Sequence, residues 1–116
     1  MATRPYMVQG SDEYFTVRLV EDGERYAVPA GSTVKAAVVT WNGRELSVGP
    51  VDIVENDGLQ DWANGLVAGV FPAADTASAK TRPSLIAISV ETLGKRKEWF
   101  IRETDVFDVY PSAFST

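Results

Sequence analysis

The sequence predicts an all-β domain, an antiparallel β-sandwich or barrel of about seven or eight strands. Three observations predict it. Short segments alternate apolar and polar residues with period two. Turn chemistry such as Asp22-Gly23, Asn42-Gly43 and Gly49-Pro50 recurs every 8–12 residues or so. No apolar stripe with a helical period runs anywhere, which argues against folds that alternate strand and helix. A chain of 116 residues holds one domain and buries roughly two-thirds of its unfolded surface.

The first strong strand is Tyr14 to Glu21, with Phe15, Val17 and Leu19 on one face and Thr16 and Arg18 on the other. Asp22-Gly23 turns it back into a short arm, Glu24 to Val28, ended by Pro29. Thr33 to Trp41 is the next strand. Val34, Ala36, Val38 and Thr40 share one face, and Lys35, Ala37, Val39 and Trp41 the other. Asn42-Gly43 reads as a type I′ turn, with Arg44 to Val48 pairing back across it. Pro50 has no N–H to give to a ladder, so Gly49 to Val54 reads as an edge or a bulge.

Glu55 to Gly58 is turn chemistry. Leu59 to Ala63 fits one helical turn capped by Asp57, or a short strand or loop. Gly65 to Phe71 is a strand of mostly small residues, and Pro72 opens a single helical turn through Ser78. Ser84 to Thr92 is a strong strand with Ile86, Ile88 and Val90 on one face. Leu93-Gly94-Lys95 turns it into Arg96 to Arg102, with Trp99 and Ile101 opposite Glu98 and Phe100. Asp105 to Tyr110 closes the set, and Pro111 ends it. The implied organisation is an N-terminal arm at 1–13, a sandwich at 14–110 and a tail at 111–116. Both immunoglobulin-like and jelly-roll-like sandwiches satisfy this pattern, since they share one alternation.

Composition removes several function classes. The chain has no cysteine and no histidine, so disulfides, zinc fingers, thiol nucleophiles and Ser-His-Asp triads are out. Its 16 acids against 11 bases give a net charge of −5. That balance argues against nucleic acid or an anionic membrane as partner. Apolar runs are short, and the N-terminus lacks the apolar core of a signal peptide. The expected location is therefore a cytoplasm, which the protein leaves only inside an assembly. Phosphate-cradling glycine loops and the G-x-S-x-G elbow are absent.

Four acids, Asp52, Glu55, Asp57 and Asp61, lie close in sequence. A paired-carboxylate catalyst or a calcium site needs such acids, yet a solvated acidic turn explains them equally, and the EF-hand spacing is missing. No metal, cofactor or catalytic residue is therefore assigned. The one basic run, Lys95-Arg96-Lys97, sits at a hairpin tip. A solvated turn that discourages edge pairing is the simpler account, and a contact for an acidic partner is the functional one. Trp41 faces away from the main core stripe, beside Asn42 and Gly43. It fits an interface anchor, a cover for the second face of the sheet, or a platform for a sugar ring.

The order of these pieces resembles small immunoglobulin-like modules of tailed bacteriophages and prophages, of which the N-terminal module of phage baseplate upper proteins is the best example. The resemblance rests on Tyr14-Phe15-Thr16-Val17-Arg18-Leu19, then Asp22-Gly23 to Thr33, then Val34 to Val39. Phe71-Pro72-Ala73-Ala74-Asp75-Thr76-Ala77 and the hairpin of Leu85 to Glu91 with Glu98-Trp99-Phe100-Ile101 complete it. It covers most of residues 14–110 and departs around Pro50 and Trp62, where this chain is longer. It implies a non-enzymatic structural module of a virion, assembled in the host bacterial cytoplasm. Either a tail or baseplate accessory or a capsid decoration protein fits. Other phage structural proteins and further copies of itself would be its partners. Trp41, Asn42, Gly43, Lys95, Arg96 and Lys97 are the candidate interface residues. A carbohydrate-binding module is the alternative.

Overall fold

A computed structural model describes residues 6–54, 60–100 and 106–114. Among the described residues the chain folds as a β-sandwich of ten strands, more than the seven or eight expected, because the strand read from Tyr14 to Glu21 divides into two and the one at Tyr6 to Val8 goes unsignalled. They are β1 (Tyr6–Val8), β2 (Glu13–Arg18), β3 (Val20–Glu21), β4 (Glu24–Arg25) and β5 (Thr33–Thr40). Then follow β6 (Leu46–Ile53), β7 (Leu66–Phe71), β8 (Ser84–Thr92), β9 (Lys95–Phe100) and β10 (Asp108–Tyr110). A 3₁₀ turn (Trp62–Asn64) precedes β7, and the single-turn helix α1 (Ala73–Thr76) follows it.

One layer is a four-stranded antiparallel sheet in the order β6-β5-β8-β9. Its inner face carries Val34, Ala36 and Val38 from β5, which pair across to Val90, Ile88 and Ile86 of β8. The opposing layer is the β2–β7 pair with the β3–β4 hairpin beside it. Phe15, Val17, Leu19, Val67 and Phe71 point inward from that layer onto the same core. The alternation read from β2 survives as intermediate, exposed, intermediate, exposed along Glu13 to Arg18, ending on a fully buried Leu19.

The largest departure is at the termini. The arm expected at 1–13 contains β1, which pairs in parallel with β10. Three residues are too few to show a period, and the partner strand lies at the other end of the sequence, so no local signal marks the pair. Met7 and Val109 are buried by it. The segment that follows β1 is pinned to α1: Thr76, fully buried, donates to Ser11 O at 2.7 Å and accepts from Gly10 N–H at 3.1 Å. Asp12 accepts from Ala73 N–H at 2.7 Å.

The expected tight turn at Asn42-Gly43 is also corrected. The left-handed residues are Gly43 (φ 84°) and Arg44 (φ 53°), and β6 begins at Leu46. Thr40 N–H donates to Glu45 O at 2.9 Å, so Trp41 to Arg44 form a four-residue connection. The cause is the Thr40 side chain. Its hydroxyl donates to Asn42 O at 2.8 Å and accepts from Glu45 N–H at 3.0 Å, which stabilises a wider loop. β6 is an edge strand with a register shift opposite Ala36 to Val38, as Pro50 leads one to expect, and its Gly49-Pro50 bond is cis. The turn at Glu55 to Gly58, Leu59, the Asp57 cap and the strand beyond Phe100 lie outside the described residues.

Candidate functional site

The four-stranded sheet has a second, outer face, and among the described residues most of it is not covered by another layer. At one end Val39 and Leu85 pack with Val106 into a small buried cluster, with Trp41 and Ala87 against it. Beyond that cluster the central strands β5 and β8 present small side chains outward: Ala37, its cross-strand partner Ala87, and Ser89. The edge strands present long ones. Leu46 and Pro50 form one wall and Arg96, Glu98 and Phe100 of β9 the other, with Arg44 from the connecting loop reaching across to Phe100. Small residues at the centre and large ones at the edges make a groove of about 370 Å³.

Arg44 organises the mouth of this groove. Its guanidinium carbon lies 5.2 Å from the centre of the Trp41 ring and 5.1 Å from the centre of the Phe100 ring. Both distances are within cation–π range, and Arg stacks on rings better than Lys. The residue holds a left-handed backbone, which is unfavourable for a side chain other than glycine. The two ring contacts and the Thr40 hydrogen bonds hold it there. Phe100 and Leu46 are 44% and 53% exposed, so the apolar surface around the guanidinium is open to a partner.

Charges on this face are only partly paired. Lys35 lies 3.9 Å from Asp52, and Glu45 is shared by Lys80 and Arg82 at 3.9 and 3.6 Å. Among the described residues Arg44 and Arg96 have no carboxylate within ion-pair distance. Glu91 stands opposite Arg96 in the ladder without closing on it.

The sequence candidates therefore divide. Trp41 and Arg96 are on the groove face. Asn42 and Gly43 shape the loop that brings Arg44 over Trp41. Lys95 is at the exposed tip of the β8–β9 hairpin, opposite Thr92. Lys97 turns to the other side of β9, where it pairs with Glu21 and lies 5.3 Å from the centre of the Tyr26 ring. The Glu21 hydrogen bond holds its pKa above the ordinary lysine value. It thus ties β9 to the β3–β4 hairpin, as does Trp99, whose indole N–H donates to Val20 O at 3.1 Å. The sequence pattern gives Arg44 no role, and it places Phe100 with Glu98 on the face opposite Trp99 without marking it as a contact residue. That parity was the available signal.

Of the acidic set, Asp52 and Asp61 are described. Asp52 faces Lys35, and Asp61 accepts from the Asn64 side chain at 2.7 Å. Glu55 and Asp57 lie outside the described residues. Among the described residues no group of three or more acids is placed to hold a metal ion. A second recess of about 390 Å³ beside β2 includes Tyr14, Asp52 and Gln60. Its amide is already used, since Gln60 donates to Val54 O and accepts from the Trp62 indole N–H, both at 2.8 Å. No helix among the described residues is long and apolar enough to cross a membrane. No protein-family model matches the chain, and no curated protein matches its sequence.

Thr40 is the part of the site open to a simple stability test. It is 1% exposed and makes both bonds that shape the loop. Thr40→Val keeps the volume and leaves the Glu45 N–H without its partner, at an expected loss of about 2 kcal/mol. Thermal unfolding followed by circular dichroism measures it. An unchanged midpoint would show that the loop holds its shape without the hydroxyl.

Proposed function

We propose that the protein is a non-enzymatic structural module of a phage or prophage particle, a tail or baseplate accessory or a capsid decoration protein, that works by docking through the outer face of its four-stranded sheet. The observation that carries the docking role is Arg44 held between Trp41 and Phe100 on an open sheet face. Trp and Arg beside exposed apolar surface are the residues in which binding energy concentrates at protein interfaces. The particle itself is suggested by the order of strand and turn pieces over residues 14–110, which resembles the phage modules. Repeated copies in a particle meet through closed symmetry, so self-association is part of the reading. Partners would be further copies and other virion proteins, in the host cytoplasm during assembly and in the virion afterwards.

A sugar-binding role asks for ring faces free to stack, and Arg44 takes one face of Trp41 and of Phe100. That weighs against the carbohydrate alternative.

Trp41→Ala is the test. The side chain is half-buried on the outer face, outside the main core cluster, so the fold is expected to persist. Truncating an interface anchor costs more than about 1.4 kcal/mol, a weakening of association by at least about tenfold. Sedimentation velocity across a concentration series reads it. A monomer at every concentration, with and without the change, would overturn self-assembly through this face.

A further inference from the structure

We infer that the free edge of β2 pairs with β2 of a second copy, antiparallel about a two-fold axis at Thr16. The inference goes beyond the docking role of the outer sheet face, since β2 belongs to the other layer. Leu19 N–H donates to Gly65 O at 2.8 Å, and the ladder runs from Glu13 opposite Phe71 to Arg18 opposite Leu66. Odd-numbered residues of β2 therefore turn their backbone groups to β7, and Tyr14, Thr16 and Arg18 turn theirs to the other edge. Among the described residues β2 pairs with β7 alone, and no backbone partner meets those outward N–H and C=O groups. The other long strands are paired or guarded. β5 and β8 have neighbours on both edges, and β7 faces β6 across the recess at Asp52 to Val54. β6 carries Pro50 and its register shift, and β9 is charged from Lys95 to Glu98. Proline, bulges and charge keep edges from pairing, whereas β2 is uncharged from Tyr14 to Val17.

Self-complementarity selects a second copy as the occupant. Backbone donors on this edge meet acceptors only where even-numbered residues face even-numbered ones. Setting Thr16 opposite Thr16 of the partner subunit also sets Tyr14 opposite the partner's Arg18, and Arg18 opposite the partner's Tyr14. Each of these is a hydrogen-bonded pair, so this register uses every outward group of β2, and a shift along the strand leaves some unmet. The side chains agree with it. Tyr14, Thr16 and Arg18 are all exposed, Tyr14 by 81%. Arg18 has no carboxylate within ion-pair distance among the described residues. The pairing gives it a tyrosine ring for a cation–π contact, puts a threonine pair on the axis, and opposes no like charges. On the inner face Phe15 stands beside the partner's Val17. That pair covers a recess of about 220 Å³ that Met7, Ile86 and Phe107 also line. A two-fold axis closes the assembly at a dimer.

Disulfide trapping reads the register, because the chain has no cysteine of its own. Facing residues of a hydrogen-bonded pair lie about 5.5 Å apart at Cα, inside the span of a disulfide. Under a mild oxidant the full chain carrying Thr16→Cys is expected to form linked dimer at least about tenfold faster than Leu93→Cys. Leu93 is a loop tip, 98% exposed, and reports random collision. Tyr14→Cys and Arg18→Cys, each slow to link alone, are expected to link to each other when mixed. That mixture leaves Thr16 untouched, so it decides the register should a Thr16 variant fail to fold. Sedimentation velocity gives a second readout. Thr16→Lys and Thr16→Glu each set like charges across the axis and are expected to weaken dimerisation about fivefold, while their mixture dimerises again. Thr16→Cys linking no faster than Leu93→Cys, no preference for the mixed 14 and 18 link, or sedimentation indifferent to both charges would each overturn the inference. Trp41→Ala is expected to leave the Thr16→Cys link unchanged. If Trp41→Ala weakens association and the Thr16 variants do not, the outer-face reading stands and the edge pairing falls. The opposite result keeps the edge pairing and removes the outer face as the surface of self-association.

Discussion

Replacing Phe71 with Ala is expected to destabilise the fold by about 4 kcal/mol, the upper range for deleting a buried ring. Phe71 is 1% exposed and lies against Phe15, ring centres 4.9 Å apart and planes 28° from parallel. The substitution removes the apolar area, the ring pairing and the support for Phe15, and β7 is held between β2 and the core so the space cannot easily close. A loss of this size is a large share of the total stability of a domain this size, about 5–15 kcal/mol. Urea denaturation measures it as a lowered midpoint with unchanged slope. Phe100→Ala is the matched control. The same residue type at 44% exposure on the groove wall is expected to cost under about 1.5 kcal/mol of stability. A loss at Phe71 no larger than at Phe100 would show that the sandwich interior has been misplaced.

Gly65→Ala is expected to cost about 3 kcal/mol, in two separable parts. Gly65 has φ 76°, a left-handed backbone in which a side chain is unfavourable by about 1–2 kcal/mol. A Cβ there would also stand 2.7 Å from Leu19 O and 2.8 Å from Tyr26 O. Both are backbone atoms, and both strands are tied in place: Leu19 N–H donates to Gly65 O at 2.8 Å and Tyr26 N–H to Leu19 O at 2.9 Å. Such overpacking adds about 1–3 kcal/mol. Gly10→Ala separates the parts, since Gly10 has φ 79° with nothing within 4 Å of its would-be Cβ. It is expected to lose only the backbone share. Equal losses at the two positions would show that the close approach at Gly65 relaxes freely.

These two substitutions act on the layers that hold the groove, whereas Trp41, Arg44 and Arg96 lie on its surface. A variant in the first group is expected to weaken docking only as the fold is lost. One in the second group should weaken docking at constant stability. That contrast makes the proposed role separable from general unfolding.

Legibility in the sequence was uneven for a physical reason. β8 was readable to the residue, because Ile86, Ile88 and Val90 alternate and Leu93-Gly94 turns tightly after it. Trp41 was marked as odd because its strand neighbours Lys35 and Ala37 are not core residues. The loop at Asn42-Gly43 was legible as a turn but not in its length, since the Thr40 hydroxyl decides that and a buried threonine leaves no pattern. Lys97 looked equivalent to Arg96. Parity separates the two, yet only the β3–β4 hairpin lying across β9 gives Lys97 its carboxylate.

The sequence alone determined the all-β class, the inward faces of β2, β5 and β8, and the acidic charge balance. Each is carried by neighbouring residues, through side-chain alternation, turn chemistry or a simple count. Tertiary structure alone decided the parallel pairing of β1 with β10, the seating of Arg44 between Trp41 and Phe100, and the groove floored by Ala37 and Ala87. Those depend on which strands lie side by side and in what register, a relation between distant segments set by burying one shared core.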